Sequence, residues 1–256
     1  MSIDLGADFL GRVRRIEDHS AKAWPAQSST SLFGWELRLA PQLSSRRPNS
    51  LNAVAPQPGQ FLDALREAQQ IYRAKGAPCI VRLQPLADEE AGEYLRGCGL
   101  SPQSDTTVET IALSGTYSTD PRIRLSEDGV QSWIDTYADV HGYGGSERAG
   151  IAAHLALVPI PQVFAVAFEE GNPCAVGRAA LENGLLGLFQ IATLPTARRK
   201  GLGRAVMIAL LEWGRTKGAD TAYLQVESEN LGARKLYSSL GFQPLYTYDY
   251  WTVPLS

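Results

Sequence analysis

Residues 191–214 read IATLPTARRKGLGRAVMIALLEWG. The stretch runs apolar and strand-like to Leu194 and turns at Pro195. It then gathers Arg198, Arg199, Lys200, Gly201, Leu202 and Gly203 ahead of a helix predicted over 203–217. Glycine accepts backbone conformations that other residues resist, so N–H groups in such a turn can converge on an anion. The start of the helix adds unpaired N–H groups and the positive end of a dipole. Arg198, Arg199, Lys200 and Arg204 add charge suited to phosphate oxygens. The combination reads as a cradle for a pyrophosphate. No Ser or Thr follows a Gly-Lys pair, so it is not a Walker loop, and the three-glycine dinucleotide fingerprint is absent.

Working outward, the elements alternate. Residues 162–194 divide into three strands, with turns at Glu170-Gly171-Asn172 and Glu182-Asn183-Gly184. TAYLQVE (221–227) reads as a strand, 232–240 as a helix and LYTYDYWTV (245–253) as a last strand. Upstream, residues 1–20 show an amphipathic helix with Leu5, Phe9, Leu10, Val13 and Ile16 near one stripe. PAQSSTS (25–31) reads as a polar loop, GWELRLA (34–40) as a half-buried strand and 41–50 as a turn. A helix over 60–73, a strand CIVRL (79–83), a helix over 88–97 capped by Asp88, and a strand TTVETIAL (106–113) complete the first half. Residues 114–129 carry Gly, Ser, Pro and charge and read as the boundary between halves. Helices over 130–140 and 150–157 follow it. This order predicts α/β architecture with a mixed sheet flanked by helices.

Composition removes whole classes of function. The 256 residues carry 24 Lys plus Arg and 27 Asp plus Glu, a net charge of −3, which is no footprint for bulk nucleic-acid binding. No run of about 18 apolar residues is present, so no membrane span is expected. Cys79, Cys98 and Cys174 lack metal-ligand spacing. No metal site is expected, and the cytoplasm is the expected compartment.

The halves repeat. Lys75-Gly76-Ala77 and Lys217-Gly218-Ala219 lie 142 residues apart, and the same offset carries Gly59 to Gly201, Ala91 to Ala233, Gly99 to Gly241 and Pro102 to Pro244 without a gap. Each unit reads helix, KGA, strand, helix, G-[LF]-x-P, strand. Duplication explains this register better than common helix ends do.

The arrangement R-x-x-G-x-G, helix, strand, Asn230-x-x-Ala233-x-x-Leu236-Tyr237, then Leu240-Gly241-Phe242 resembles the GNAT superfamily of N-acetyltransferases. The resemblance covers residues 160–250 well and 125–160 more loosely. It implies an acetyl-CoA-dependent N-acetyltransferase that acts by direct transfer to a primary amine of a small molecule or peptide. Arg198, Gly201 and Gly203 match the family's pyrophosphate loop, within the segment Arg198, Arg199, Lys200, Gly201, Leu202, Gly203 and Arg204. Ile191, Ala192 and Thr193 would meet the pantetheine arm through main-chain groups, and Asn230 would hydrogen-bond it. Tyr237 would be the catalytic acid for the departing thiolate. Asn230 also reads as a helix cap, and Tyr237 as a core-facing aromatic. A non-catalytic CoA-binding regulatory module and a transferase of another acyl group stand as alternatives.

At the 142 offset, Arg198 becomes Pro56, Gly203 becomes Phe61, Asn230 becomes Asp88 and Tyr237 becomes Leu95. Residues 1–115 therefore read as a degenerate GNAT-like domain without cofactor, and 116–256 as the catalytic domain. A monomer fits, because the internal repeat can stand in for a dimer. The acceptor side is poorly marked. His141, in the loop HGYGG, and Glu227 are weak candidates for a base, Cys174 has no partner for nucleophilic work, and Tyr246, Tyr248, Tyr250 and Trp251 read first as a packed strand.

Overall fold

The computed structural model describes residues 5–255, with side chains from Asp8 on. In chain order the elements are α1 (Leu5–Ala23), β1 (Ser28–Leu32), β2 (Trp35–Leu39), β3 (Leu51–Ala53), α2 (Phe61–Ala74), β4 (Cys79–Leu83), α3 (Glu89–Gly97) and β5 (Gln103–Ala112). There follow β6 (Ile123–Ser126), α4 (Val130–His141), α5 (Gly145–Leu155), β7 (Gln162–Glu169), β8 (Asn172–Glu182), β9 (Leu185–Thr193), α6 (Leu202–Thr216), β10 (Thr221–Glu227), α7 (Leu231–Leu240) and β11 (Gln243–Val253). Residues 1–4 and the Leu5 side chain of the N-terminal helix expectation lie outside the described set. Val13 and Ile16 are buried as its stripe requires, whereas Leu10 is exposed. The fold is mixed α/β, with parallel and antiparallel strands flanked by helices. No helix among the described residues is long and apolar enough to cross a membrane.

The chain forms two compact units. One takes the chain up to Val108, with Val226–Leu231 and everything from Pro244 on; the other takes Glu109–Gln225 and Gly232–Gln243. The division departs from a cut at 115/116, because most of β11 belongs with the first unit. In that unit β1, β2 and β3 are antiparallel neighbours, β3 is parallel to β4, and β4 is antiparallel to β11 in the register Val81↔Trp251. One face packs Trp35, Leu37, Phe61, Leu65, Tyr72, Leu95, Trp251 and Val253. On the strand alternation of β11, Tyr246, Tyr248 and Tyr250 take the other face. There the Tyr246 hydroxyl donates to Glu17 at 2.7 Å. Arg82 binds both oxygens of that carboxylate, at 2.6 and 2.9 Å, and lies 3.6 Å over the Tyr248 ring. The tyrosine run is therefore a packed strand face carrying a buried ion pair.

In the second unit β6, β7, β8 and β9 are successive antiparallel neighbours, and β10 joins β9 in parallel. Trp133, Ile134, Ile151, Leu155, Phe164, Val166 and Val176 pack together, and the Trp133 indole donates to the Gly177 carbonyl at 2.9 Å. Helix α6 lies so close to β8 that a Cβ at Gly177 would stand 2.6 Å from Val206 Cγ1. At the 142-residue offset, α2 and α6, β4 and β10, α3 and α7, and β5 and β11 begin and end within two residues of each other.

Three expectations are corrected. Residues 25–31 are not all loop, since β1 begins at Ser28. The 41–50 turn leads into the short strand β3. The boundary segment contains β6, paired with β7. In addition, α5 starts at Gly145, five residues before the predicted start.

The placement of β11 carries a stability consequence. Trp251 is 2% exposed within the first unit's core. Trp251→Ala is expected to destabilise that unit by about 3–5 kcal/mol, read as a lowered denaturation midpoint for probes placed in residues 5–108. A midpoint equal to wild type would show that β11 does not anchor it.

Candidate active site

Strand β9 carries an irregularity that shapes the site. Val176 on β8 faces Ala192, yet Arg178 faces Phe189, so β9 holds one extra residue. Gln190 adopts φ +55 there, a bulge that bends the strand. Its side-chain oxygen accepts from Arg178 Nε at 3.0 Å. The parallel ladder to β10 ends at Leu188↔Leu224, while β9 runs on to Thr193. Half-buried Ile191, Ala192 and Thr193 thus lie beyond the ladder, and their main-chain groups on that side are not spent on β10. In the first unit the corresponding pair is Asn52↔Arg82, and β3 stops one residue later. That unit lacks the extension.

A short 3₁₀ turn, Pro195–Ala197, leads into the glycine loop. Arg199 at φ +67 and Gly201 at φ +77 reverse the chain. Gly201 is the N-cap of α6 and offers no side-chain cap, so the first-turn N–H groups of Leu202, Gly203 and Arg204 remain for an outside acceptor. Arg198 and Arg199 are exposed, with Arg198 Nε reaching the Thr193 carbonyl at 3.4 Å. Two of the cations are engaged within the chain. Lys200 Nζ is 2.5 Å from Glu169, and Arg204 donates to Ser239 on α7 at 2.9 Å. Both contacts are exposed, where such bonds are weak and exchange readily. A cavity of 380 Å³ opens beside Gly201 and Arg204, walled by Ser118–Pro121.

Gly203 presents bare backbone at the start of α6. A Cβ there would lie 3.7 Å from Thr193 Oγ1 and 3.7 Å from Leu236 Cδ2, between the end of β9 and α7. The first unit fills the matching space. Phe61 is fully buried, with its ring 5.1 Å from Trp35 and 6.0 Å from Tyr94, the counterpart of Leu236. Gly59 keeps the left-handed turn at φ +78, but its N–H donates to the Glu90 carboxylate at 2.9 Å. The same loop is open and basic in the second unit. In the first it is plugged by an aromatic ring and neutralised by the chain's own acid. A pyrophosphate and its arm fit the former and not the latter.

Tyr237 lies on α7, 8% exposed, its ring 6.2 Å from Phe242. Burial, followed by the charge of Glu109, pushes its hydroxyl up to about 12. The phenol therefore keeps its proton throughout the neutral range. Asn230 is exposed and immediately precedes α7, and its N–H donates to the Glu227 carbonyl at 2.9 Å. Its counterpart Asp88 caps α3 by accepting from Ala91 N at 3.2 Å, and Tyr237's counterpart Leu95 is core.

The weaker candidates separate. His141 is the last residue of α4 rather than a loop residue, exposed, with its ring against Tyr137 and Tyr143. Partial burial lowers its pKa. Cys174 is buried, donates to the Ala167 carbonyl and has its pKa raised by burial, which suits packing and not nucleophilic attack. The sequence reading missed Glu109 on β5, buried at 4% exposure. Its signal was a lone charge inside the run TTVETIAL.

A family model described as "Probable histone acetyltransferase Rv0428c C-terminal" matches residues 11–251. An uncharacterised N-acetyltransferase, YobR of Bacillus subtilis, is 27% identical over 244 residues, covering 93% of this chain and 97% of that protein. A [ribosomal protein bS18]-alanine N-acetyltransferase of Salmonella typhimurium is 44% identical over 55 residues, 22% of this chain and 37% of its own length. Among solved structures, a GCN5-related N-acetyltransferase from Kribbella flavida superposes with a TM-score of 0.71 at 17% identity, covering 94% of this chain and 95% of that one. A tandem GNAT protein from the clavulanic acid biosynthesis pathway superposes with a TM-score of 0.68 at 11% identity, covering 95% and 88%. A family match across both units, over a fold shared with GNAT structures and a glycine loop open in one unit, carries the assignment: the chain belongs to the Rv0428c C-terminal acetyltransferase family, within the GNAT superfamily of N-acetyltransferases.

Proposed function

We propose that the chain transfers an acetyl group from acetyl-CoA directly to a primary amine, in a ternary complex, and that only the second unit takes the cosubstrate. The observation that carries this reading is the contrast at one repeat position. Gly203 keeps the backbone bare beside an uncapped helix start, whereas Phe61 carries a buried ring at its counterpart. Acetyl-CoA supplies an activated thioester carbonyl. The first turn of α6, with Arg198 and Arg199, holds the pyrophosphate. Ile191, Ala192 and Thr193 pair with the amides of the pantetheine arm as a strand would. Fixing the arm holds the thioester within reach of the amine, which lowers the barrier by orientation. Tyr237 donates its proton to the sulfur as the C–S bond breaks.

The amine belongs to a small molecule or a peptide. The similarity to a ribosomal-protein alanine acetyltransferase over 55 residues supports including peptides with a free N-terminal alanine among the acceptors tried. Calorimetric titration with acetyl-CoA is expected to give one site per chain. Two equivalent sites would overturn the assignment to the second unit. Thiol release from acetyl-CoA across a panel of small amines, lysine peptides and N-terminal peptides then identifies the acceptor. Binding of acetyl-CoA without thiol release across that panel would favour a binding module.

A further inference from the structure

Glu109 is a buried carboxylate on the wall behind the proposed acid. Side chains alternate along β5, so Glu109 shares a face with Ile111. Ile111 Cδ1 lies 3.3 Å from the position a Cβ would take at Gly241, the residue that follows α7. One step back along the strand, Glu109 Oε1 is 3.8 Å from Arg234 Nε on α7. Tyr237 stands three residues beyond Arg234, on the same helical face. Strand β5 therefore runs beneath α7, with Glu109 under the turn that carries Arg234 and Tyr237. The carboxylate's second oxygen, Oε2, is buried and has no hydrogen-bond partner among the described residues. A buried acceptor left unmatched costs about 1–3 kcal/mol, more when charged, and so calls for a reason.

We propose that Glu109 is a positioning residue for the proton of Tyr237. Its charge holds the phenol in the protonated form until the departing sulfur takes the proton, and it disfavours the phenolate that remains. The inference rests on Tyr237 being the acid of the proposed function. In the step itself the Tyr237 O–H bond breaks as an S–H bond forms. The attacking nitrogen must shed a proton to become an amide, so its N–H bond breaks and the phenol O–H re-forms. A phenolate beside a carboxylate is a like-charge pair in a poorly solvated site, so Glu109 drives that recovery and readies the acid for the next turnover. Arg234, 3.8 Å away, is the cation set against the carboxylate. Burial raises the pKa of Glu109, and Arg234 opposes the rise. Arg234 on α7 is the charged group set against Glu109, and the Tyr237 phenol on the same helix feels the carboxylate's charge. The counterpart of Tyr237 in the first unit, Leu95, has no proton to manage.

The test uses the full chain with 3,5-difluorotyrosine at position 237, a phenol acidic enough to titrate where the protein stays folded, read by fluorine NMR without any ligand. Glu109→Gln is expected to lower the ionisation midpoint by about one pH unit, a tenfold change in the equilibrium. Glu109→Asp should restore most of the shift, because the charge is kept. Arg234→Gln, which leaves the carboxylate uncompensated, should move the midpoint upward and serves if Glu109→Gln does not fold. Coincident titration curves for the parent and the folded charge variants would overturn the inference. Full turnover by Tyr237→Phe would instead overturn the acid role beneath it, whatever the titrations show.

Discussion

Gly203→Phe abolishes acetyl-CoA binding in a chain that remains folded. This is the expected result, and the first unit has in effect already made the substitution. Phe61 occupies the matching position of α2, fully buried between Trp35 and Tyr94, and α2 forms normally around it. At Gly203 a first side-chain carbon would already touch Thr193 and Leu236, each 3.7 Å away. A phenyl ring grows from there into the volume that the pyrophosphate and the top of the arm require. The residue lies in the first turn of α6 and has no positive φ, so a larger side chain brings no backbone strain, and leaving glycine favours the helix by up to about 1 kcal/mol. Calorimetry should show no heat at concentrations that saturate wild type, with a melting temperature equal or slightly higher. Normal affinity in the variant would mean that the cradle lies elsewhere.

Tyr237→Phe is expected to lower turnover by about 10²–10⁴-fold, the usual worth of a general acid, and at the least tenfold where water substitutes. The ring is 8% exposed and packs beside Phe242, and phenylalanine keeps that packing. Only the hydroxyl is lost. Acetyl-CoA affinity and thermal stability should therefore stay near wild type, and KM should move far less than kcat. Because burial and Glu109 hold the phenol up to about 12, the wild-type acid should stay protonated across pH 6–9. Its own ionisation then contributes no alkaline loss of rate in that window. Equal turnover by the variant, with chemistry rate-limiting, would leave Tyr237 a packing residue.

The parts of the fold that were legible share a cause. Helix α3 announces itself through Asp88, whose carboxylate takes the Ala91 N–H. Strands β4 and β10 are short apolar runs that follow a Lys-Gly-Ala helix end, and β8 and β9 meet at Asn183-Gly184. In each case the deciding interaction lies within a few residues. Strand β1 was not legible, because four of its five residues are exposed and only its pairing with β2 makes it a strand. The same holds for three-residue β3 and for β6 within a turn-rich segment. For the site, the glycine loop and Tyr237 stand in local motifs and could be named. Glu109 could not, since α7, which gives that carboxylate its meaning, lies more than a hundred residues along the chain. The bulge at Gln190 escaped as well. It depends on how β8 counts against β9, and no residue type in the run signals it.

The late position of β11 in the chain also sets an order of assembly during synthesis. Strand β4 has β3 on one side from the start, but its second neighbour, β11, comes only after the ribosome has made residues 109–243, at ~5–20 residues per second a wait on the order of ten seconds. Until then the earlier unit carries a bare strand edge and an apolar face without Trp251 and Val253, the kind of edge that pairs with neighbouring chains. The later unit is meanwhile free to fold on its own residues. The half that comes first off the ribosome is thus the half that finishes last, and slowed elongation between residues 109 and 243 should raise aggregation of nascent chains more than the same delay placed before residue 80.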